Sequence, residues 1–275
     1  MQFIKALSLV PLVAGLVAAP LLAQDAPGSG ADPAGAESAK AFTLSGSATL
    51  VNSYFFRGIS LSNSQWAIQG GMQLDHKSGL FVGTWASSIA TVGATQQCTG
   101  FGPGPIICNQ VGGANAEVDV FGGWSGTLGP LDVTAGMIGY LYPGASGLDY
   151  FEFYGTAGYT LGTVSLKLGL NWAPSQNALT GSDRYLFGSA SWAIPGAPLT
   201  LRAQVGSERG SLVIDNTGQT TGKMDWLFAL DISGSVVGLD PLSVSFGYVG
   251  NNLPDKSGAN SYADGGFLFT IGASF

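Results

Sequence analysis

The feature that most constrains the fold of this sequence is an alternation of apolar and polar residues with a period of two. It recurs from residue 42 to residue 275. It is clearest in residues 65–75 and clear again in residues 164–172, where large apolar side chains alternate with Ser, Lys, Gly and Asn. A period of two places the two sets on opposite faces of a β-strand. The polar face holds mostly Gly, Ser, Gln and Asn with scattered charges, which is typical of an enclosed interior rather than a surface in water.

The composition indicates what the apolar face contacts. Charged residues make up only 10% of the chain, against about 25% in an ordinary soluble domain. After residue 24 no apolar run approaches the ~18 residues that a transmembrane helix needs. Closed barrels are the only other structure that satisfies every backbone polar group in lipid. We therefore predict an all-β fold, a transmembrane antiparallel up-and-down β-barrel in the outer membrane of a Gram-negative bacterium.

The alternating segments number about twelve, and an even count is typical of single-chain bacterial barrels. We expect strands near residues 42–55, 65–75, 80–88, 116–125, 131–142, 150–160, 163–173, 184–194, 199–207, 224–233, 242–250 and 263–275. The links between them alternate between short and long, which indicates short periplasmic turns and longer extracellular loops.

Tryptophan positions suggest aromatic girdles at both membrane interfaces. With this topology the extracellular girdle holds Trp66, Trp172 and Trp226, the periplasmic girdle holds Trp124 and Trp192, and the face of Trp85 is ambiguous.

The first residues have the parts of a secretory signal: Lys5 as a positive flank, an apolar stretch, and small residues before Gln24. We expect a signal peptide over residues 1–23 with cleavage after Ala23, and an uncleaved anchor is the alternative. Residues 24–41 lack periodicity and large apolar side chains, which predicts a disordered periplasmic leader. The barrel would then occupy residues 42–275.

The last predicted strand carries alternating apolar residues and ends on Phe275. It resembles the C-terminal signal of outer-membrane barrels, which the barrel assembly machinery reads, so we expect Phe275 to serve as an assembly signal.

Residues 50–87, residues 140–155 and the segment DWLFALDISGS beginning at Asp225 together resemble the TorF-like family of porins, which are proteobacterial outer-membrane proteins of unknown function. The RGIS segment, residues 57–60, is the most specific part. The resemblance implies a barrel with a transport role and supplies no catalytic residue, cofactor or solute. The segment CTGFGPGPIIC departs from the family pattern.

If the apolar face points outwards, the charged residues on the other face are candidates for lining a pore. These candidate pore-lining residues are Asp75, Glu117, Asp119, Asp132, Glu152, Lys167, Arg202, Asp225 and Asp231. The alternative is that they pair across the interior and only hold the barrel closed. Arg57 follows three aromatic residues at the end of the first strand, where it could reach the lumen or lipopolysaccharide phosphates, or remain a solvated rim charge.

Cys98 and Cys108 are the only cysteines, and they flank a Gly- and Pro-rich segment in a loop exposed to an oxidising compartment. We predict a structural disulfide between them rather than a redox or metal site. His76, the only histidine, lies in a predicted periplasmic turn and is expected to be a solvated turn residue. Residues 255–266 hold oxygen ligands without the spacing of an EF-hand loop. We predict no metal and no cofactor.

The leading functional hypothesis is a passive pore for small solutes. We expect it to be mildly cation-preferring, because the candidate pore-lining residues include more carboxylates than basic groups. The alternative is a closed barrel that acts through its extracellular loops as a surface binding or structural protein, since an interior of about twelve strands can be open or filled. An enzyme is the third hypothesis, behind the other two, because the sequence offers no nucleophile paired with a general base. The expected partners are membrane lipid, lipopolysaccharide, the barrel assembly machinery and small solutes, without nucleic acid, and the oligomeric state stays open.

Overall fold

The computed structural model describes residues 41–99, 107–179, 181–214, 220–234, 238–253 and 265–275, with residues 95–99, 107–111, 214, 220 and 221 described by their backbone only. The signal peptide and nearly all of the leader expected for residues 1–41 lie outside these ranges. None of the residues that the structure describes forms a helix long and apolar enough to cross a membrane.

The described chain consists of strands joined by turns and loops. The strands are β1 (Phe42–Val51), β2 (Phe55–Phe56), β3 (Ile59–Ser60), β4 (Ala67–His76), β5 (Leu80–Val92), β6 (Thr95–Thr99), β7 (Ile107–Val111), β8 (Ala114–Leu128), β9 (Leu131–Leu141), β10 (Tyr150–Leu161), β11 (Val164–Ala173), β12 (Asp183–Ala193), β13 (Leu199–Ile214), β14 (Thr220–Ser233), β15 (Leu242–Asn251) and β16 (Gly266–Ser274).

Twelve of these strands form a closed antiparallel barrel, which confirms the expected fold. The order around the barrel is the order in the chain, with β2–β3 and β6–β7 standing apart as small hairpins. β16 closes the barrel by pairing with β1, where Leu50 lies opposite Ile271. Next to this seam, Phe275 and Gly46 exchange backbone hydrogen bonds of 2.9 and 3.0 Å.

The outer face of the barrel carries the apolar set of the alternation. On β11, Leu168 is 67% exposed and Leu170 is 47% exposed, whereas Asn171 is 1% exposed because it points inwards. A closed strand ladder with an apolar outer belt leaves no backbone polar group unpaired in lipid. This architecture places the chain in the outer membrane, as the sequence predicts.

The two ends of the barrel differ in their links. We call the loop end the one that carries residues 52–66, 93–113, 142–149, 174–182, 215–219 and 252–265, and the turn end the one that carries residues 77–79, 129–130, 162–163, 194–198 and 234–241. The outer face carries Trp66, Trp172 and Trp226 near the loop end and Trp124 and Trp192 near the turn end. Trp85, whose face the sequence leaves ambiguous, is buried inside the barrel.

Four expected strand boundaries are wrong by four residues or more, and all four errors concern the loop end. β5 extends to Val92 rather than ending at residue 88. β1 ends at Val51 rather than at residue 55, and β13 and β14 extend over residues expected to form a loop. The link between β13 and β14 is therefore short, so link length does not alternate strictly around the barrel. Polar and small residues in this segment hide the alternation, because they resemble loop composition.

The buried core lies inside the barrel rather than between layers, and most of it lies in the loop-end half. One cluster includes Tyr54, Trp85 and Tyr140, and a second joins Phe55 to Leu227 and other residues of β14, β15 and β16. Tyr54 and Phe55 belong to the link between β1 and β4. This link therefore folds into the barrel and supplies part of the core.

Candidate functional site

The link of residues 52–66, which we call the inward hairpin, crosses the lumen near the loop end. β2 and β3 pair within it, and Arg57 and Gly58 form the two-residue turn between them, with φ of 47° and 83°. Positive φ at both central residues is the geometry of a type I′ turn, the tight turn that suits a β-hairpin. The turn projects Arg57 away from β1 and β4.

Serine hydroxyls hold the base of the inward hairpin. Ser62 Oγ accepts a hydrogen bond from Tyr54 N at 2.9 Å and donates one to Gln65 O at 2.6 Å. Ser53 Oγ and Ser60 Oγ lie 2.8 Å apart and share a hydrogen bond. Such short-range bonds satisfy backbone groups that the barrel ladder cannot reach.

Two of the three aromatic residues before the turn, Tyr54 and Phe55, pack on different walls of the barrel. Tyr54 is 1% exposed, lies 5.5 Å from the Trp85 ring, and donates a hydrogen bond of 2.5 Å to Glu117 Oε1 on β8. Phe55 is 4% exposed and packs with Leu227 of β14. The inward hairpin thus contacts walls on both sides of the lumen.

Arg57, at the tip of the inward hairpin, reaches the opposite wall. Its Nη2 lies 2.5 Å from Glu152 Oε2 on β10, and its Nη1 lies 2.6 Å from Glu208 Oε1 on β13. The guanidinium also lies between two rings, 4.7 Å from the Phe56 centroid and 4.6 Å from the Tyr185 centroid. We call Glu152, Glu208 and Tyr185, all on barrel strands, the Arg57 seat.

The Arg57 side chain is only 3% exposed. Burial lowers its pKa, whereas Glu152 and Glu208 raise it, and the net direction is upward, so the guanidinium stays charged. Arg57 is therefore not the solvated rim charge that was one reading of the sequence. Its side chain points into the lumen.

Wall residues position each carboxylate of the seat. Glu152 Oε2 accepts hydrogen bonds from Tyr140 OH at 3.2 Å and from Asn171 Nδ2 at 3.1 Å. Glu208 is also paired with Lys223, whose Nζ lies 3.7 Å from Asp225 Oδ2. The seat is therefore part of a network that runs along the wall from β9 to β14.

The buried charges at this level are unequal in sign. Among the residues that the structure describes, the buried charged side chains are the acidic Glu117, Asp119, Glu152, Asp183, Glu208 and Asp225 and the basic Arg57 and Lys223. Asp119 is 0% exposed, and neither of its carboxylate oxygens has a hydrogen-bond partner within the described ranges. Burial of an ionised carboxylate without a partner is costly, so it favours either protonation of that group or a cation nearby.

The candidate pore-lining residues fall into two groups along the barrel. Glu117, Asp119, Glu152 and Asp225 lie buried around the inward hairpin. Asp75, Asp132, Lys167, Arg202 and Asp231 occupy inward positions closer to the turn end. In this second group Arg202 and Asp231 form an ion pair with Nη2 to Oδ1 at 2.8 Å, and Asp231 also accepts a hydrogen bond from Ser245 Oγ at 2.6 Å.

Sequence reasoning missed Glu208 and Lys223, because it assigned them to a loop. The alternation itself contains them, since Glu208 continues the inward series of Thr200, Arg202 and Gln204, and Lys223 lies two residues before Asp225. Extending each strand until the alternation fails would have found both residues.

The remaining predicted residues lie away from the inward hairpin. The backbone register of β6 and β7 places Cys98 opposite Cys108, and their disulfide stays a prediction. His76 ends β4 at the turn end, where its Nδ1 lies 2.8 Å from Ser78 Oγ. Within the described part of the chain, no group of three or more His, Cys, Asp or Glu residues could hold a metal ion. Most of residues 255–266 lies outside the described ranges.

Comparisons with known proteins identify one matching family and several barrels of similar structure. The family described as "bacterial protein of unknown function (Gcw_chp)" matches residues 35–275, and the TorF-like name suggested by the resemblance stays a prediction. No curated protein sequence matches the chain.

Three solved barrels illustrate the structural likeness. A NanC porin is 12% identical with a TM-score of 0.49, over 85% of this chain and 99% of that one. A KdgM porin is 9% identical with a TM-score of 0.49, over 84% of this chain and 98% of that one. An outer-membrane channel from Pseudomonas putida F1 is 9% identical with a TM-score of 0.48, over 89% and 98%.

Proposed function

This chain belongs to the Gcw_chp family of bacterial proteins of unknown function, and we propose that it forms a porin-like outer-membrane channel for the passive diffusion of small solutes. The inward hairpin is its constriction. Membrane lipid, lipopolysaccharide and the barrel assembly machinery are the partners that we propose for such a barrel.

The observation that carries this proposal is the change in the lumen along the barrel axis. Wall side chains alone fill the interior of a barrel of about eight strands, and a wider barrel leaves space. At the turn end, inward positions such as Asp132 and Lys167 remain exposed or half-buried. The lumen is therefore more accessible at the turn end than where the inward hairpin crosses it, although Phe81 and Thr200 are buried near the turn end.

The sign of the buried charge supports a preference for cations. Six acidic and two basic side chains are buried around the inward hairpin within the described ranges. In a confined passage of lower dielectric, excess carboxylates raise the local concentration of cations and exclude anions. We assign the main contribution to Glu117 and Asp119, which lie two residues apart on the inward face of β8.

The second candidate is a closed barrel that binds a partner through its extracellular loops or serves as a structural protein. It is favoured by the degree of burial at the constriction, where the exposed fraction of the whole residue is 1% for Tyr54, 7% for Arg57 and 0% for Asp119. If this filling is permanent, no solute passes.

The test is current through the purified full-length protein in a planar lipid bilayer. We expect discrete steps, and a reversal potential in a KCl gradient that indicates cation preference. Replacing Glu117→Gln together with Asp119→Asn should move the reversal potential towards zero, whereas Asp240→Asn, at an exposed position of the turn end, should leave it unchanged.

Two different results would contradict different parts of this proposal. Repeated absence of steps would favour the closed barrel. Anion preference, or an unchanged reversal potential in the double variant, would remove the assignment of Glu117 and Asp119 while leaving the channel itself in place.

A further inference from the structure

We propose that the inward hairpin is a tethered plug, and that the Arg57 seat is a binding site for a guanidinium group, which a solute carrying such a group occupies when it displaces Arg57. The displacement step rests on the proposed channel function. The binding site itself can be tested without it.

The first argument is the geometry of the contacts. Two carboxylates approach different Nη nitrogens of one guanidinium, at 2.5 and 2.6 Å, and the Tyr185 ring covers one face. The planar guanidinium donates along several fixed directions and stacks on aromatic rings, whereas an ammonium is a compact point charge. The seat therefore matches a guanidinium better than an ammonium.

The second argument is that the seat belongs to the barrel wall. Glu152, Tyr185 and Glu208 lie on β10, β12 and β13, and among the contacts described above only the Phe56 ring comes from the inward hairpin. Tyr185 OH donates a hydrogen bond of 2.9 Å to Asp225 Oδ1, which holds the ring from the wall side. The seat consequently keeps its form when the inward hairpin leaves.

The third argument is the charge left behind. Without Arg57, Glu152 would lose its only ion pair among the described residues, and Glu208 would keep only its ion pair with Lys223. Since unpaired buried charge is strongly unfavourable, the vacated seat attracts a replacement cation.

The fourth argument concerns how the plug is held. Arg57 has φ of 47°, a conformation that non-glycine residues adopt at a cost. A further contact beyond the ion pairs is a hydrogen bond of 2.7 Å from Asn251 Nδ2 to Gly58 O. A free guanidinium can make the same ion pairs without this backbone cost, so it can compete with the tethered one.

The experiment uses the full-length protein with Arg57→Ala, and methylguanidinium as the probe. In planar bilayers we expect Arg57→Ala to raise the open fraction about tenfold, and methylguanidinium to block this variant reversibly. Methylammonium at the same concentration should block at least tenfold less. In the parent protein, methylguanidinium should block at least tenfold less, because it must first displace Arg57 from the seat.

Three further variants locate the effect. Arg209→Ala removes an exposed arginine on the outer face of β13, next to Glu208 in sequence, and should behave as the parent does. Adding Glu152→Gln and Glu208→Gln to Arg57→Ala should weaken the block at least tenfold. Arg57→Lys keeps the charge without the guanidinium and should plug the lumen only partly. A shift of gel mobility on boiling confirms that each variant is folded.

Calorimetric titration of folded Arg57→Ala in detergent separates this inference from the channel. If Arg57→Ala binds methylguanidinium and this binding is lost when Glu152→Gln and Glu208→Gln are added, the result supports the seat. If the same protein conducts no current, the channel is refuted while the seat stands. Equal binding of methylammonium, or binding that ignores both glutamates, would overturn the seat even if the channel conducts.

Discussion

Replacing Gly58→Ala tests whether the inward hairpin depends on its close fit against the wall. A Cβ atom at Gly58 would lie 2.7 Å from Asp225 Cβ, 3.0 Å from Gly250 O and 3.1 Å from Asn251 Cβ. Gly147 provides the matched control, because its φ of 80° resembles the 83° of Gly58 and a Cβ there would meet nothing within 4 Å.

The size of the expected effect on the inward hairpin follows from the difference between the two sites. Both substitutions place alanine in the left-handed region, which costs about 1–2 kcal/mol. At residue 58 this cost is the same in the seated and the displaced hairpin as long as the turn between β2 and β3 persists, so it cancels. Overpacking occurs only in the seated hairpin of Gly58→Ala, and it typically adds about 1–3 kcal/mol. That difference shifts the balance between the seated and the displaced hairpin by about 5- to 150-fold.

Trypsin measures this shift without any assumption about transport. The peptide bond after Arg57 is cleaved only when the inward hairpin leaves its seat, so the cleavage rate follows the population of the displaced state. We expect cleavage after Arg57, followed by mass spectrometry in detergent, to be about 5- to 150-fold faster in Gly58→Ala than in the parent, and unchanged in Gly147→Ala. Equal rates in the two variants would refute the close fit of the hairpin.

Three further predictions concern the barrel and its outer loop. The purified protein should resist unfolding by SDS until it is boiled and then shift in gel mobility, because a closed ladder has no free edge; identical migration before and after boiling would count against closure. Phe275→Asp should lower the yield of folded barrel in the outer membrane, since the Phe275 ring lies against Gly46 beside the closing seam, and a normal surface yield would argue against its role in assembly. A thiol assay of the untreated protein should find no free thiol at Cys98 and Cys108, and two free thiols would exclude a disulfide. Reduction should increase proteolysis within residues 93–113 without unfolding the barrel, because the disulfide should stabilise only this loop, by roughly 2–3 kcal/mol.

Most of the barrel could be predicted from the sequence, because the period of side chains in a strand decides which face each residue occupies. Once the apolar set of β11 faces lipid, Lys167 and Asn171 must face the lumen. The same rule placed Glu117 and Asp119 together inside. It failed at Glu208 and Lys223 only because the strands were ended too early.

The position of Arg57 was decided by the tertiary structure. The local sequence around Arg57 and Gly58 is compatible with a tight turn, but such a turn can project outwards from the rim or inwards across the lumen. Its direction depends on Glu152 and Glu208, which are 95 and 151 residues further along the chain. Only closure of the barrel brings β10 and β13 opposite the end of β1, and a buried guanidinium is stable there because both carboxylates are present to pair with it.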